Sequence, residues 1–301
     1  WMQFPPTARG LFTTGGSMAN FAAIVCARER KLGTELRRGT LYLSSETHHS
    51  VAKSAKLAGI LPDRVRAIPV DAAFRMRIDR LADAIATDRA AGLTPFLVVS
   101  SAGTTNTGAV DPLREIAALC LQEGLWHHVD GAYGASFHLC PELRPLLAGL
   151  PEADSLTLDP HKGLFIPYGT GAVLVRDGEA LRAAHSETAS YMPEDRAGTE
   201  FYDPHQFGPD LSRNFRGLPV WLAIKLYGAA RYRAALAEKR ALALDAAKRI
   251  AALPHVVMDA PPQLSLFAFH LDWPGATLAA QDAATRELLE RVTRRGKVFI
   301  T

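Results

Sequence analysis

Two residues of opposite charge follow short apolar segments, and both could take part in catalysis. Lys162 is the only lysine between Leu57 and Ile224, and it ends the run Asp-Pro-His-Lys after the apolar segment Ser155–Leu158. Asp130, 32 residues before Lys162, ends the run His-His-Val-Asp. A primary amine on a rigid element can form a Schiff base with an aldehyde, which an arginine cannot do. These residue types therefore predict covalent chemistry at a carbonyl carbon.

The pairing of this lysine with this aspartate indicates a particular cofactor. The carboxyl ends of parallel strands open onto one crevice, so Asp130 and Lys162 can face one pocket if their strands are near neighbours. Pyridoxal phosphate needs a lysine for its aldehyde and an acidic partner for its pyridine nitrogen, which keeps the ring an electron acceptor. Taken alone, each residue is better explained as a turn cap or as surface charge. Taken together, they favour pyridoxal phosphate.

Three further segments place groups that suit a phosphorylated ring. The run Thr13–Asn20 contains Gly-Gly-Ser before an apolar helical pattern, and the free backbone amides at such a helix start bind phosphate. His48 and His49 follow the strand-like segment Leu41–Leu43, where an imidazole could stack on a ring. The loop Ser101–Pro112 offers several hydroxyls. Each segment alone also fits a capping or turn role, so their value lies in their occurrence together.

Strand-like and helical segments alternate along most of the chain, as the positioning of these residues requires. This alternation predicts an α/β fold with a mostly parallel sheet in a three-layer α/β/α arrangement. The predicted strands are Leu41–Leu43, Val65–Pro69, Phe96–Ser100, Trp126–Val129, Ser155–Leu158 and Gly171–Val175. The predicted helices are Ser17–Leu32, Ser50–Ala58, Asp79–Ala90, Pro112–Glu123 and Glu179–His185.

The pattern changes near residue 218, which predicts two domains. Residues 1–217 are expected to form the large cofactor-binding domain. A long Ala/Leu/Arg-rich helical pattern covers Leu218–Leu253, and it is followed by a strand-like segment, Leu264–Leu271, and a helical one, Asp282–Arg294. We therefore expect residues 218–301 to form a linking helix and part of a smaller α+β domain.

Composition and charge exclude several classes of function. The chain has 301 residues, of which 48% are hydrophobic, and a net charge of +3 without a long block of like charge, so neither a nucleic-acid partner nor a membrane patch is expected. Cys26, Cys120 and Cys140 are odd in number and lack CxxC spacing, which predicts reduced thiols in a cytoplasmic protein. The first residue, Trp1, and the strand-like end Lys297–Thr301 predict that the sequence is a fragment.

Together, the motifs resemble those of the group II pyridoxal-phosphate-dependent amino acid decarboxylases of fold type I, over nearly the whole chain. The group includes enzymes that act on aromatic amino acids, glutamate, histidine and diaminobutyrate. The resemblance implies that Lys162 carries pyridoxal 5'-phosphate, that Asp130 pairs with the ring nitrogen and that Ala132 packs against the ring. It further implies that His48 stacks on the ring and that Gly16 and Ser17 hold the phosphate. By the same resemblance, Thr105 lies beside the ring and His161 beside Lys162.

The same resemblance has implications for the later part of the chain. Tyr191, in a Ser-Tyr-Met-Pro run, aligns with a loop tyrosine that returns a proton after carbon dioxide leaves. Leu211 and Ser212 align with a segment that reaches the cofactor of the other subunit, which implies a homodimer with its sites at the interface. Gly163 stands where the aromatic-amino-acid enzymes usually have tryptophan, so a different pocket wall is expected.

The leading hypothesis is a carboxy-lyase that converts an L-amino acid, with an aromatic side chain favoured, into an amine and carbon dioxide. One alternative is an oxidative decarboxylase that forms an aldehyde. Another is a metal hydrolase that uses His48, His49, His128, Asp130 and His161, although the sequence has no HExxH run or similarly spaced ligand set, and no metal site is expected. A third is a non-catalytic pyridoxal-phosphate-binding protein or fragment. The sequence does not distinguish among amino acid substrates.

Overall fold

A mixed seven-stranded β-sheet forms the centre of the protein. The computed structural model of the chain describes residues 1–187, 203–298 and 300. The strands of this sheet are β1 Arg9–Thr13, β2 Gly39–Ser44, β3 Val65–Ile68, β4 Thr94–Ser101, β5 Trp126–Asp130, β6 Ser155–Leu158 and β7 Gly171–Val175. They lie side by side in the order β1-β7-β6-β5-β4-β2-β3.

The direction of the strands divides the sheet into two parts. Strands β2 to β6 pair in parallel with each other, as the alternation of strands and helices predicts. Strand β7 is antiparallel to both of its neighbours, β1 and β6. The prediction of a mostly parallel α/β sheet is therefore confirmed, and the structure adds β1 as an edge strand that the sequence patterns do not predict.

Helices cover both faces of this sheet. They are α1 Gly16–Leu32, α2 His49–Leu57, α3 Ile78–Ala90, α4 Leu113–Glu123, α5 Pro160–Gly163 and α6 Gly178–Ala183. Strand β2 shows why two helical layers form, because its alternate side chains are buried on opposite faces. Leu41 and Leu43 pack in the same core as α1 and α2, whereas Tyr42 packs with Leu81 and Ile85 of α3.

The helix boundaries follow local sequence signals. Helix α1 begins directly after Gly15, and α4 ends at Gly124, whose left-handed conformation (φ 66°) suits a residue without a side chain. Helix α2 begins after His48, whose ring accepts a hydrogen bond from the backbone N–H of Ser50. His48, a predicted cofactor-binding residue, thus also caps helix α2.

From Gly217 onward, the described residues form a long helix and a small unit. Helix α7 spans Gly217–Ala251 and leaves the helical conformation at Gly228 (φ 73°). Two short antiparallel strands and a helix follow, and these are β8 Val256–Met258, β9 Phe269–Leu271 and α8 Leu278–Arg295. Tyr232 and Leu236 of α7 are buried in the same core as residues that follow β5, so α7 packs on the large sheet unit.

The C-terminal elements correct part of the prediction. The strand expected at Leu264–Leu271 is wrong for its first five residues, because only Phe269–Leu271 forms a strand. Leu264 instead lies in a loop and is fully buried in the core beside the sheet, which explains its apolar character. Strand β8 was not expected from the sequence. The division at residue 217/218 stays a prediction.

Candidate active site

The two reactive residues meet because their strands are direct neighbours. Strands β5 and β6 pair in parallel, with Asp130 opposite Thr157, and the short helix α5 carries Lys162 just beyond the end of β6. Both residues line one cavity of about 370 Å³ at the carboxyl edge of the parallel strands. Its volume lies within the range of small-molecule sites.

The amine of Lys162 is available to the cavity. Its side chain is 45% exposed, and Nζ lies 3.3 Å from Oδ2 of Asp159, whose side chain is 2% exposed. Oδ1 of Asp159 has no hydrogen-bond partner among the described residues. Burial raises the pKa of the Asp159 carboxyl, while Lys162 and His161 oppose this effect. The lysine is therefore held on a rigid turn beside a buried carboxyl group, with its amine reachable by a ligand.

Asp130 lines the cavity and is held in place by hydrogen bonds. The residue is 9% exposed, and its two carboxylate oxygens accept different hydrogen bonds. Oδ2 accepts from Nδ2 of Asn20 at 2.9 Å, and Oδ1 accepts from the backbone N–H of Ala132 at 3.1 Å. Both oxygens keep lone pairs for a cationic N–H in the cavity, because a carboxylate oxygen can accept more than one hydrogen bond.

The Gly-Gly-Ser turn forms a narrow cradle at the start of α1. A Cβ atom on Gly16 would lie 3.0 Å from Oδ2 of Asp159 and 3.1 Å from Cβ of Ala132, so a larger residue would fill this space. Gly15, Gly16 and Ser17 line the cavity, and the first amides of the 17-residue helix α1 have no carbonyl partner within the helix. This arrangement suits a phosphate group.

Two histidines, His48 and His161, line the cavity. Nδ1 of His48 lies 2.7 Å from Oγ of Ser50, and burial, followed by His49, lowers the pKa of His48. His48 is therefore a neutral aromatic ring near neutral pH. Nδ1 of His161 donates to the carbonyl oxygen of Thr170 at 2.6 Å, which fixes the orientation of the second ring.

The structure brings eight of the predicted site residues into this one cavity. They are Gly16, Ser17, His48, Thr105, Asp130, Ala132, His161 and Lys162. Leu211 and Ser212 are exposed and lie outside the cavity of their own chain, so a role in a partner subunit's site stays a prediction. Tyr191 lies outside the described residues.

Gly163 allows close packing beside the cavity, and the expected difference in the pocket wall stays a prediction. This residue does not line the cavity, and it is buried against Ser136. A Cβ atom on Gly163 would lie 2.2 Å from Oγ of Ser136. The glycine therefore allows α5 to pack closely on the segment after β5, rather than forming part of the cavity wall.

Other cavity residues were not singled out from the sequence. Asn20 contacts Asp130 from α1, Asp159 contacts Lys162, and Tyr168 stacks on His161 with ring centroids 4.9 Å apart. Asn20 carries a sequence signal, since it is a lone amide in the apolar run of α1. Asp159 has a signal too, because it stands three residues before Lys162 and so lies on the same side of a helical turn. Tyr168 has none.

Comparison with known proteins shows which family has this arrangement of residues. Residues 2–272 match the model of the pyridoxal-dependent decarboxylase conserved domain. The chain belongs to the pyridoxal-dependent decarboxylase family. The cavity fits the cofactor of that family, since it combines a reachable lysine amine, a buried carboxylate and a glycine cradle that a Cβ atom would fill. The predicted cofactor, pyridoxal 5'-phosphate, and the predicted family are thus confirmed.

Relatives of this pyridoxal-dependent decarboxylase family member include proteins with two kinds of name. An aromatic-L-amino-acid decarboxylase from Bacillus atrophaeus is 37% identical over 99% of the chain and 62% of its own length. A 4-hydroxyphenylacetaldehyde synthase from Rhodiola rosea is 30% identical over 97% of the chain and 60% of its own length. The crystal structure of Oryza sativa TDC with PLP and tryptamine superposes with a TM-score of 0.93 at 29% identity, covering 98% of the chain and 63% of that structure.

The chain spans about three fifths of the length of these family members.

Within the part of the chain that the structure describes, no helix is long and apolar enough to cross a membrane. In the same residues, no group of three or more His, Cys, Asp and Glu side chains could hold a metal ion. Cys26, Cys120 and Cys140 are free and buried.

Proposed function

We propose that the chain is the cofactor-binding part of a carboxy-lyase that converts an L-amino acid into the corresponding amine and carbon dioxide. The observation that carries this proposal is the position of the Lys162 amine and the Asp130 carboxylate in one cavity, at the ends of two paired parallel strands. Pyridoxal 5'-phosphate, when bound, supplies an aldehyde carbon for amines and a pyridine ring that accepts an electron pair.

Each residue of the chain then has a defined task. Lys162 would supply the primary amine that holds the aldehyde group of the cofactor. Asp130 keeps a negative charge beside the position proposed for the ring nitrogen, which stabilises a proton there. Gly16 and Ser17 would bind the phosphate through their backbone N–H groups, and the neutral ring of His48 would pack against the cofactor ring.

The remaining predicted residues enclose the same space. Thr105 and Ala132 are proposed to contact the ring, and His161 is held beside Lys162 by its bond to Thr170. Because Asp159 and Asp130 are almost fully buried, the cavity excludes bulk water from two carboxyl groups. Charge interactions with a substrate are stronger in such a site than in water.

An aromatic amino acid is the proposed class of substrate. Relatives named as tyrosine and tryptophan decarboxylases, both from Oryza sativa, are 35% and 31% identical to the chain. A mass-spectrometric screen for amines formed from the twenty amino acids and from Dopa, ornithine and diaminobutyrate tests this class. Amine formed only from the non-aromatic substrates would contradict it.

The role of Lys162 has a direct test that does not depend on turnover. The protein is mixed with pyridoxal phosphate, reduced with borohydride and digested, and the labelled peptide is identified by mass. Lys162→Ala is expected to abolish the label, whereas Lys53→Ala, which removes an exposed lysine of α2, should retain it. A label at another residue in the parent protein would refute the assignment.

The alternative product is an aldehyde, and the 30% identity to an aldehyde synthase favours testing it. Tyr191, outside the described residues, is the proposed donor of the proton that completes the amine. Tyr191→Phe is expected to lower the yield of amine and to raise aldehyde, ammonia and peroxide, because a carbon left without its proton is open to dioxygen. An unchanged ratio of amine to aldehyde would remove Tyr191 from the mechanism. Aldehyde as the main product of the parent protein would favour the alternative.

We also propose that the protein is a cytoplasmic homodimer, with Leu211 and Ser212 reaching the partner's cofactor. The N-terminal half of α7 and the segment before it expose large apolar side chains. Phe215 is 77% exposed, Trp221 56%, Leu226 74% and Tyr227 56%. A cluster of this kind is typical of a surface that another chain covers.

A further inference from the structure

A continuous chain of buried side chains leads from Trp126 to Asp130 through the interior of the protein. Trp126 Nε1 lies 2.8 Å from Oγ of Ser155, which lies 2.8 Å from Nδ1 of His128. Nε2 of His128 lies 3.0 Å from Oδ1 of Asn20, and Nδ2 of Asn20 lies 2.9 Å from Oδ2 of Asp130. None of these residues is more than 9% exposed.

The Asp130 end and the single proton of a neutral imidazole fix the direction of the hydrogen bonds in this chain. An indole N–H can only donate, so Ser155 accepts from Trp126, and its hydroxyl donates to Nδ1 of His128 when Nε2 of that neutral ring carries the proton. A carboxylate can only accept, so the NH₂ group of Asn20 faces Asp130 and its oxygen faces His128. The remaining imidazole nitrogen, Nε2, therefore carries the proton and donates to Asn20.

Two further contacts hold the Asn20 amide in this orientation. Its oxygen accepts a second hydrogen bond from Oγ1 of Thr157 at 2.7 Å, and its NH₂ group lies 3.3 Å from Oγ of Ser50. A flipped amide would turn its oxygen toward the Asp130 carboxylate and its NH₂ group toward the N–H of His128. Burial lowers the pKa of His128 to about 4, so its ring keeps the single proton that this network needs near neutral pH.

We infer that Asn20 is a positioning residue for the cofactor: its amide, oriented by His128 and Thr157, holds the Asp130 carboxylate toward the ring nitrogen. The inference rests on the proposed function, which places that nitrogen beside Asp130. A hydrogen bond to a charged group contributes about 1.5–3 kcal/mol, which corresponds to at least a tenfold change in affinity. Loss of the Asn20 bond should therefore weaken only the interaction that depends on the ring nitrogen.

The test compares pyridoxal phosphate with its analogue in which a C–H group replaces the ring nitrogen. Dissociation constants of both compounds for the apo-protein are measured by fluorescence quenching, and the ratio of analogue to cofactor is the quantity of interest. Asn20→Ala is expected to lower this ratio about tenfold. Thr157→Val, which keeps the shape and removes one donor to the amide, should lower it severalfold. It decides the question if Asn20→Ala does not fold.

Ser100→Ala is the matched control. Ser100 Oγ lies 2.8 Å from Nε2 of His127, and this buried Ser–His pair does not contact Asp130. The control should keep the parent ratio within twofold. A ratio that is unchanged in Asn20→Ala, or unchanged in Thr157→Val when the first variant is unfolded, overturns the inference. A ratio near one in the parent, unchanged by Asp130→Asn, would instead overturn the proposed contact between Asp130 and the nitrogen.

The proton assignment has an independent test in the apo-protein. Nitrogen-15 NMR of the imidazole groups should show His128 with its proton on Nε2 at pH 7 in the parent. In Asn20→Ala this tautomer loses its acceptor, and the Nε2 resonance should shift. A proton on Nδ1 of His128 in the parent would contradict the direction of the chain and with it the role of Asn20.

Discussion

The burial of His127 makes the stability of the protein depend on pH, and the size of this effect follows from the structure. The residue is 2% exposed, and its Nδ1 has no hydrogen-bond partner among the described residues. Burial, with a smaller effect of His128, lowers the pKa of His127 to about 3. We predict that His127→Gln, whose amide can still bond to Ser100, makes the protein less sensitive to acid.

The sign follows from which state binds the proton first. The unfolded chain protonates a histidine near pH 6.5, whereas the folded protein keeps His127 neutral until about pH 3. Acid therefore favours the unfolded state, and the stabilising contribution is fully present above pH 6.5 and is lost as the pH falls. For one such histidine the free energy of unfolding decreases by about 2 kcal/mol between pH 7.5 and pH 5. Between pH 7.5 and pH 5, the free energy of unfolding of His127→Gln should therefore decrease by about 2 kcal/mol less than that of the parent.

Urea unfolding of the apo-protein, followed by tryptophan fluorescence at pH 7.5, 6.5 and 5, measures this difference. The variant is expected to be less stable than the parent at pH 7.5, and only the change with pH carries the test. His255→Gln, which replaces an exposed histidine, serves as the control. Between pH 7.5 and pH 5, its free energy of unfolding should decrease by as much as that of the parent. If His127→Gln also loses as much as the parent, His127 is not neutral in the folded protein and the reasoning fails.

Three further predictions concern packing, the phosphate cradle and self-association. Gly163→Ala should lower the free energy of unfolding, measured in urea, by about 1–3 kcal/mol, because the added methyl group meets the Ser136 hydroxyl. In the double variant, Ser136→Gly should restore much of this loss. Gly16→Ala should weaken pyridoxal phosphate binding at least tenfold in fluorescence titrations, since its Cβ narrows the cradle; equal affinity would place the phosphate elsewhere. Leu226→Glu should reduce concentration-dependent self-association in sedimentation velocity, whereas Leu121→Glu, at an 85% exposed position of α4, should not; identical behaviour of the two variants would argue against the α7 surface.

Much of the central sheet is predictable from the sequence because its signals are local. Strands such as Ser155–Leu158 are short apolar segments between turn residues, and each lies between helices with apolar faces. The cavity residues of the Asp-Pro-His-Lys and His-Val-Asp runs share the property that they follow such strands. A rule about strand ends is therefore sufficient to bring Asp130 and Lys162 together.

The remaining features depend on contacts between distant parts of the chain. Strand β1 has only five residues, and Phe12 places an apolar side chain on its exposed face, so the alternation of apolar and polar residues is weak and the pairing with β7 decides its conformation. Leu264 reads as part of a strand because it is apolar, but a buried loop needs apolar residues as well. Asn20 becomes informative only when Asp130 and His128 are known to surround it.

The position of β7 between β1 and β6 also determines when the central sheet can be completed during translation. Arg9 pairs with Val175, so the first strand leaves the ribosome long before its partner exists. Such distant pairing is slow because a long loop must close first. Since Gly171 of β7 lies directly against Gly15 of the cradle, the nascent chain is expected to acquire the cofactor only after β7 has been translated and inserted.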